Sequence, residues 1–147
     1  MQTLKVLVDK DCKNDHPLSW PAKPGDVGFD LKCWIPDNVL VIPPGTFANI
    51  ATGVSVKIPD GYWASIRSRS STFAKRNLMV MDGTIDCEYV GSLHIFVFNP
   101  TKVDAHVVNG DRLAQLVFFP SVVPIIEVTD KLPTTIRGTT GFGSTNT

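Results

Sequence analysis

No stretch of this chain is apolar for long enough to cross a bilayer, which takes about 18–20 residues. The first ten residues mix Lys5, Asp9 and Lys10 with Leu and Val and lack the apolar core of a signal peptide. Net charge is missing too, because 14 Lys+Arg balance 14 Asp+Glu. A polyanion would therefore have to be held by local clustering rather than by the field of the whole molecule. One such cluster exists at Arg67, Arg69, Lys75 and Arg76. Cysteine is scarce: Cys12, Cys33 and Cys87 are odd in number and share no short spacing, which argues against a disulfide framework or a thiolate zinc site. Cys33 reads as a small buried hydrophobe. These absences point to a soluble intracellular chain, cytoplasmic or, in a eukaryote, nuclear, with no membrane or nucleic-acid partner.

A sustained helical period is also lacking. The best helical window is Ser70 to Asn77, room for one short helix at most. What is present instead is a series of short β-branched and aromatic runs, punctuated by turn signals at intervals of roughly eight to fifteen residues. Leu4, Val6 and Val8 alternate with polar neighbours, and so do Phe29, Leu31 and Cys33. Pro17, Pro21 and Pro24 make residues 11–25 a loop. Leu113 to Phe119 reads as a strand buried along most of its length, and Ile125, Ile126 and Val128 supply one further strand. About ten short strands in one domain require two packed sheets, a sandwich or jelly roll, because a single sheet would leave an apolar face wet.

The candidate chemistry centres on Gly83-Thr84-Ile85-Asp86-Cys87-Glu88-Tyr89-Val90-Gly91. Apolar residues lie on both sides, Leu78 to Met81 before it and Ile95 to Phe98 after it, so the stretch reads as a β-hairpin whose turn carries two carboxylates and a phenol. Taken alone it is an ordinary solvated turn. It stands, however, with Arg69-Ser70-Ser71 upstream, Gly110-Asp111-Arg112 downstream and a closing segment from Arg137 to Thr145. From Arg137 to Thr147 there are three glycines, one aromatic, one cation and five Thr or Ser, which cannot build a core. Phe142 between Gly141 and Gly143 is an aromatic on a backbone free to approach a ligand closely, and N–H groups of a Gly-Ser-Thr run beside an arginine suit phosphate. Acid, hydroxyls, guanidinium groups and a glycine-rich lid are what a phosphate-ester hydrolase needs.

In order along the chain, five segments resemble the motifs of the homotrimeric dUTP diphosphatases (dUTPases). They are Asp26-Val27-Gly28-Phe29-Asp30-Leu31, Arg69-Ser70-Ser71, Gly83 to Gly91, Gly110-Asp111-Arg112-Leu113-Ala114-Gln115-Leu116, and Arg137 to Thr145. The resemblance implies a β jelly roll over residues 1–136, a C-terminal arm at 137–147 that closes over the active site, and three chains that share their sites. It implies hydrolysis of dUTP to dUMP and pyrophosphate with Mg²⁺ held mainly by the substrate phosphates. That reaction keeps uracil out of DNA and supplies dUMP for dTMP synthesis.

By the same resemblance Asp86 is the base that orients the attacking water, and Tyr89 packs under the deoxyribose and excludes a 2′-hydroxyl. The backbone around Val80, Gly83, Thr84 and Ile85, with His94, reads the uracil edge. Arg69, Ser70, Ser71 and Gln115 match phosphate contacts. Arg137, Phe142, Gly143 and Ser144 match the arm, Asp30 an acid near the metal's water shell, and Asp111 a residue that positions the arm. Thr140, Val27 and His94 depart from the usual residues without removing a group the reaction requires. Two other readings stay open at this point: a dCTP deaminase or bifunctional relative, and a regulatory protein on a nucleotidase scaffold that switches a protein partner.

Overall fold

The computed structural model describes residues 3–21 and 23–139. Eleven strands and one helix follow one another in these residues: β1 (Lys5–Val8), β2 (Leu18–Ser19), β3 (Gly28–Lys32), β4 (Val39–Ile42), β5 (Phe47–Lys57), β6 (Tyr62–Ser68), α1 (Ser70–Arg76), β7 (Met79–Val80), β8 (Gly83–Ile85), β9 (Ser92–Phe98), β10 (Ala105–Val108) and β11 (Arg112–Pro120). They form a five-stranded sheet in the order β2-β3-β11-β6-β8, a four-stranded sheet in the order β1-β5-β9-β7, and a two-stranded ribbon of β10 and β4. This is the jelly-roll sandwich that the strand count and the resemblance predict.

The alternation of side chains decides which face of each strand is inside. On β9, Leu93, Ile95 and Val97 point inward, whereas Ser92 and Phe96 are exposed. Ile50, Val54 and Val56 of β5 join them and meet Leu31, Ala64, Ile66 and Leu116 of the facing sheet in one core. Each such Val, Leu or Ile side chain contributes about 1.5–3 kcal/mol of transfer free energy when taken from water. β11 lies between β3 and β6, paired on both sides; its Leu113, Ala114 and Leu116 are buried in the core, and Val117, Phe118 and Phe119 are half-buried.

The single helix spans most of the window that the sequence allowed. Asn77 ends it in the left-handed conformation (φ 53°, ψ 30°), and Lys75 and Arg76 lie in its last turn, where cations suit the carbonyl end. Thr72 Oγ1 donates to the Leu113 carbonyl at 2.6 Å and fastens the helix to β11.

Two expectations are corrected. Residues 121–139 carry no strand, and Ile125, Ile126 and Val128 are 97%, 88% and 93% exposed. A strand is made by a neighbour's N–H and C=O groups, and these residues run past the end of β11 with no strand of the described chain beside them. The second concerns the Gly83 region, which is more than a hairpin tip. β7 does pair with β9, but β8 leaves that sheet and pairs with β6 in the other. No helix among the described residues is long and apolar enough to cross a membrane.

Candidate active site

The crossing from β7 to β8 makes the first cleft. Met81 N–H is held by the Phe96 carbonyl at 2.9 Å, and Gly83, Thr84 and Ile85 then pair with Ile66, Ser65 and Ala64. Beyond β8 the chain reverses through Asp86-Cys87-Glu88-Tyr89, closed by Tyr89 N–H donating to the Asp86 carbonyl at 3.1 Å. The Tyr89 hydroxyl donates to the Ser92 carbonyl at 3.0 Å. Its ring folds back so closely over Gly91 that a Cβ there would stand 2.5 Å from the phenol oxygen, which explains the second glycine of the motif.

The result is a cleft of about 380 Å³. Gly83, Thr84, Ile85, Asp86 and Tyr89 line one wall, and His94 and Asn49 stand on the other. His94 Nδ1 lies 2.8 Å from Asn49 Oδ1. Asp86 is exposed, and its carboxylate makes no ion pair or hydrogen bond among the described residues, so it is available to a water.

The second cleft, about 370 Å³, lies where β3, β11 and the start of α1 meet. Asp30, Arg69, Ser70 and Gln115 line it, together with Gly28 and Trp20. Arg69 is the residue before α1 and is extended (φ −80°, ψ 145°), which sends its side chain across to β3. Its Nε stands 2.7 Å from Asp30 Oδ1, and Nη1 donates to the Arg112 carbonyl at 3.1 Å. Arg112 Nη1 reaches the other Asp30 oxygen at 3.3 Å. Asp30 is thus bracketed by two guanidinium groups. Gln115 Nε2 donates to the Ser68 carbonyl at 3.3 Å, and a Cβ on Gly28 would come within 2.0 Å of Gln115 Oε1. Only glycine leaves room for that amide.

Of the residues singled out from the sequence, the first cleft gathers Gly83, Thr84, Ile85, Asp86, Tyr89 and His94, and the second gathers Asp30, Arg69, Ser70 and Gln115. Val80 and Ser71 line neither. Val80 pairs with Val97 next to the first cleft, and Ser71 Oγ lies 3.4 Å from Arg69 Nη1. The clefts have no lining residue in common within one chain. Arg137 is exposed near the end of the described chain, while Phe142, Gly143, Ser144 and Thr140 lie outside the described residues.

Asn49 and Arg112 carry no role in the sequence reading. Asn49 has no local signal, since only the pairing of Ala51 with His94 brings it beside the histidine. Arg112 sits inside a recognised motif, yet its partner Asp30 is far off in sequence.

The basic cluster looks different in three dimensions. Arg67 pairs with Asp82 at 3.3 Å, Arg69 with Asp30, and Arg76 with Asp111 at 2.6 Å, so its charge is largely balanced locally. Asp111 also accepts the Val108 N–H at 2.8 Å and so closes the turn between β10 and β11. Cys33 is fully buried as expected; burial, with the Asp111 charge behind it, pushes its thiol up to about 12.

A family model for dUTPase matches residues 14–146. The deoxyuridine 5'-triphosphate nucleotidohydrolase of Maricaulis maris is 35% identical over 152 residues, covering 100% of this chain and 99% of that protein. The enzyme of the same name from Caulobacter vibrioides (strain NA1000 / CB15N) is 39% identical over 135 residues, covering 89% of this chain and 86% of its own. Among solved structures, a mutant dUTPase of Staphylococcus bacteriophage 80alpha with dUpNHpp superposes with a TM-score of 0.89 at 25% identity over 100% of both chains. A dUTPase mutant from phage phi11 of S. aureus, described for its coordination of a structural Mg(II) ion, gives 0.79 at 26% identity over 90% of this chain and 100% of that one. Five ordered motifs, a jelly roll that brings residues of the first four into two clefts and a match over nearly the whole length agree: the chain belongs to the dUTPase family.

Proposed function

We propose that this chain hydrolyses dUTP to dUMP and pyrophosphate, with Asp86 holding the attacking water in line with the α-phosphorus. The observation that carries this is the single turn that puts Asp86 at one end and Tyr89 at the other, both in one cleft beside the β8 backbone. A free carboxylate with a reference pKa of about 3.9 is a feeble base towards bulk water. Its contribution is therefore to fix one water and take its proton as the bond to phosphorus forms. Uracil differs from cytosine in a donor and an acceptor, and the main-chain N–H and C=O groups of Thr84 and Ile85 cannot exchange those roles. The wrong base leaves a buried group unpaired at about 1–3 kcal/mol. His94, steadied by Asn49, stands on the wall across from them. Tyr89, held by Ser92 and packed on Gly91, excludes a 2′-hydroxyl by overlap.

The phosphates fall to the second cleft. Arg69, Ser70 and Gln115 offer donors there, and Ser71 supports the Arg69 guanidinium. Asp30 is a poor direct ligand for a metal because both its oxygens hold arginines. A carboxylate has about four lone-pair sites, so it keeps room to accept from a water in a cation's shell. This suits Mg²⁺ that arrives on the triphosphate, where it offsets the charge that repels a nucleophile. The arm at 137–147, with Arg137, Phe142, Gly143 and Ser144, then covers the uracil and the outer phosphates, and residues 1–136 form the body it closes upon. The product dUMP feeds dTMP synthesis and the reaction keeps uracil from DNA, in an intracellular setting.

A homotrimer with shared sites follows from the same reading. Base and phosphate clefts have separate linings within one chain, which suits completion of each site by another copy. Large apolar side chains also stand in water on two surfaces: Phe47, Phe96, Met79 and Met81 beside the first cleft, and Ile125, Ile126 and Val128 after β11. Exposure on this scale marks an interface. Sedimentation is expected to give three times the 16.1 kDa chain mass, and a monomer that stays active removes the shared-site account. The deciding assay for the activity is pyrophosphate release with Mg²⁺ from dUTP, dCTP, dTTP and UTP in parallel. Release from dUTP alone is expected; equal release from dCTP or UTP overturns the assignment.

A further inference from the structure

Outside the two clefts, one group of metal-type donors stands together among the described residues: Asp60, Cys87 and Glu88, whose ligand atoms lie within 4.8 Å of one another. This group already has a cation. Lys57 Nζ lies 2.6 Å from Glu88 Oε1 and 3.4 Å from Asp60 Oδ1, and it donates to the Cys87 main-chain carbonyl at 3.0 Å. The hydrogen bond to Glu88 raises the ammonium's pKa, so it is charged near neutral pH.

Where Lys57 comes from matters more than what it neutralises. It is the last residue of β5, in the four-stranded sheet, whereas the turn it grips continues β8 of the five-stranded sheet. The bonds within the turn, Tyr89 N–H to Asp86 and Tyr89 hydroxyl to Ser92, hold its shape. The second reaches β9, whose Ser92 pairs with Ser55, but neither bonds a residue of β5 itself, the strand that carries Asn49 on the opposite wall of the first cleft. The Lys57 ammonium bonds the turn to β5 directly, at the Cys87–Glu88 peptide, one residue beyond Asp86.

We propose that Lys57 is a positioning residue for the hydrolysis: by holding the Cys87 carbonyl it fixes the pitch of the Asp86–Tyr89 turn, and with it the place of the carboxylate and of the phenol ring in the cleft. The proposal rests on the role given above to Asp86. An exposed ion pair adds little to global stability, but a small displacement of a reacting group slows the chemical step severely. Lys57 therefore acts on rate and sugar selectivity more than on folding.

The test is Lys57→Met, which keeps the apolar stem and removes the donor. The kcat for dUTP is expected to fall about tenfold with little change in KM, and the preference for dUTP over UTP narrows because Tyr89 moves with Asp86. The melting temperature shifts by no more than about 3 °C. Lys57→Arg, which can donate to both oxygens, restores kcat and preference together. Glu88→Gln, which leaves the carbonyl bond in place, keeps most of the activity. Unchanged kcat and unchanged dUTP preference in Lys57→Met overturn the proposal. So does a loss that Lys57→Arg fails to rescue, or a Glu88→Gln variant as impaired as Lys57→Met. Asp86→Asn in the same assay separates the two levels. If it is active, the role of Asp86 is wrong; if it is inactive while Lys57→Met is normal, only the clamp fails.

Discussion

The cleft at Asp86 and the cleft at Arg69 are made of different materials. The first is mostly main chain and turn: β8 is locked onto β6, the Asp86–Tyr89 turn is closed by its own bonds, and the Asp86 carboxylate has no partner among the described residues. The second is made of long side chains that hold one another, with Asp30 between Arg69 and Arg112 and Gln115 leaning on Ser68. Rigid peptide groups suit a choice between bases, because their donor and acceptor roles are fixed by covalent structure. Charged side chains suit a triphosphate, and Asp30 holds two guanidinium groups in place at the cleft, the arrangement the proposed phosphate role calls for. On the proposed function, selectivity and charge neutralisation fall to separate elements of the fold.

That division can be broken most sharply at Asp86. Asp86→Asn is expected to lower kcat by about 10²–10⁴-fold, with an unchanged melting temperature and retained binding of a non-hydrolysable dUTP analogue. Turnover near that of the parent would remove Asp86 from the mechanism. Next in size is Arg69→Lys. A single ammonium lacks the spread donors with which the Arg69 fork holds Asp30 through Nε and the Arg112 carbonyl through Nη1, so kcat/KM is expected to drop about 10–100-fold with equal effect on every nucleotide tested. A change in base preference here would mean that the two clefts do not divide the work as described.

Tyr89→Ala provides the converse. UTP should become a substrate and the dUTP-to-UTP ratio of kcat/KM should fall about tenfold or more, while activity on dUTP declines less than in Arg69→Lys. Gly28→Ala is milder still. The new methyl must displace the Gln115 amide, raising KM about three- to tenfold with little change in kcat, as expected for an overpacked contact of about 1 kcal/mol; a structure of the variant with Gln115 unmoved would contradict it.

The smallest effect lies away from both clefts and is silent near neutral pH. Cys33 has its thiol raised from 9.0 to about 12. The unfolded chain therefore loses that proton first, and the stabilisation present below pH 9 declines as pH rises from 9 towards 12. Thermal melts over this range should slope downward in the parent and less so in Cys33→Ala. Equal slopes would mean that Cys33 does not contribute.

Much of this was legible in the sequence where the signal is local. Short alternating runs and turn residues gave a β sandwich, the window at Ser70 gave the one short helix, and the ordered motifs contain most of the second cleft's lining and, in the first, Gly83 to Asp86 with Tyr89. Pairing partners were not legible. Asn49 reaches His94 only through the register of β5 on β9, and Arg112 reaches Asp30 only through β11 on β3. The basic cluster shows the same limit, since Asp30, Asp82 and Asp111 come from three other places in the chain to meet its arginines. Ile125 to Val128 has the composition of a strand but no neighbour to pair with, and composition cannot supply one.

The order of the chain alone determined which chemistry is present: a carboxylate and a phenol three residues apart between two glycines, arginine with serines, and an apolar rhythm of period two. Tertiary structure decided that β8 deserts the sheet of β7, so that Asp86 faces Asn49 and His94 across a cleft, and that Lys57 spans from one sheet to the turn of the other. The reason is physical. Side-chain type and spacing fix local preference, but which hydrogen-bonding edges meet depends on how two apolar faces close over one core, and that is a property of the whole chain.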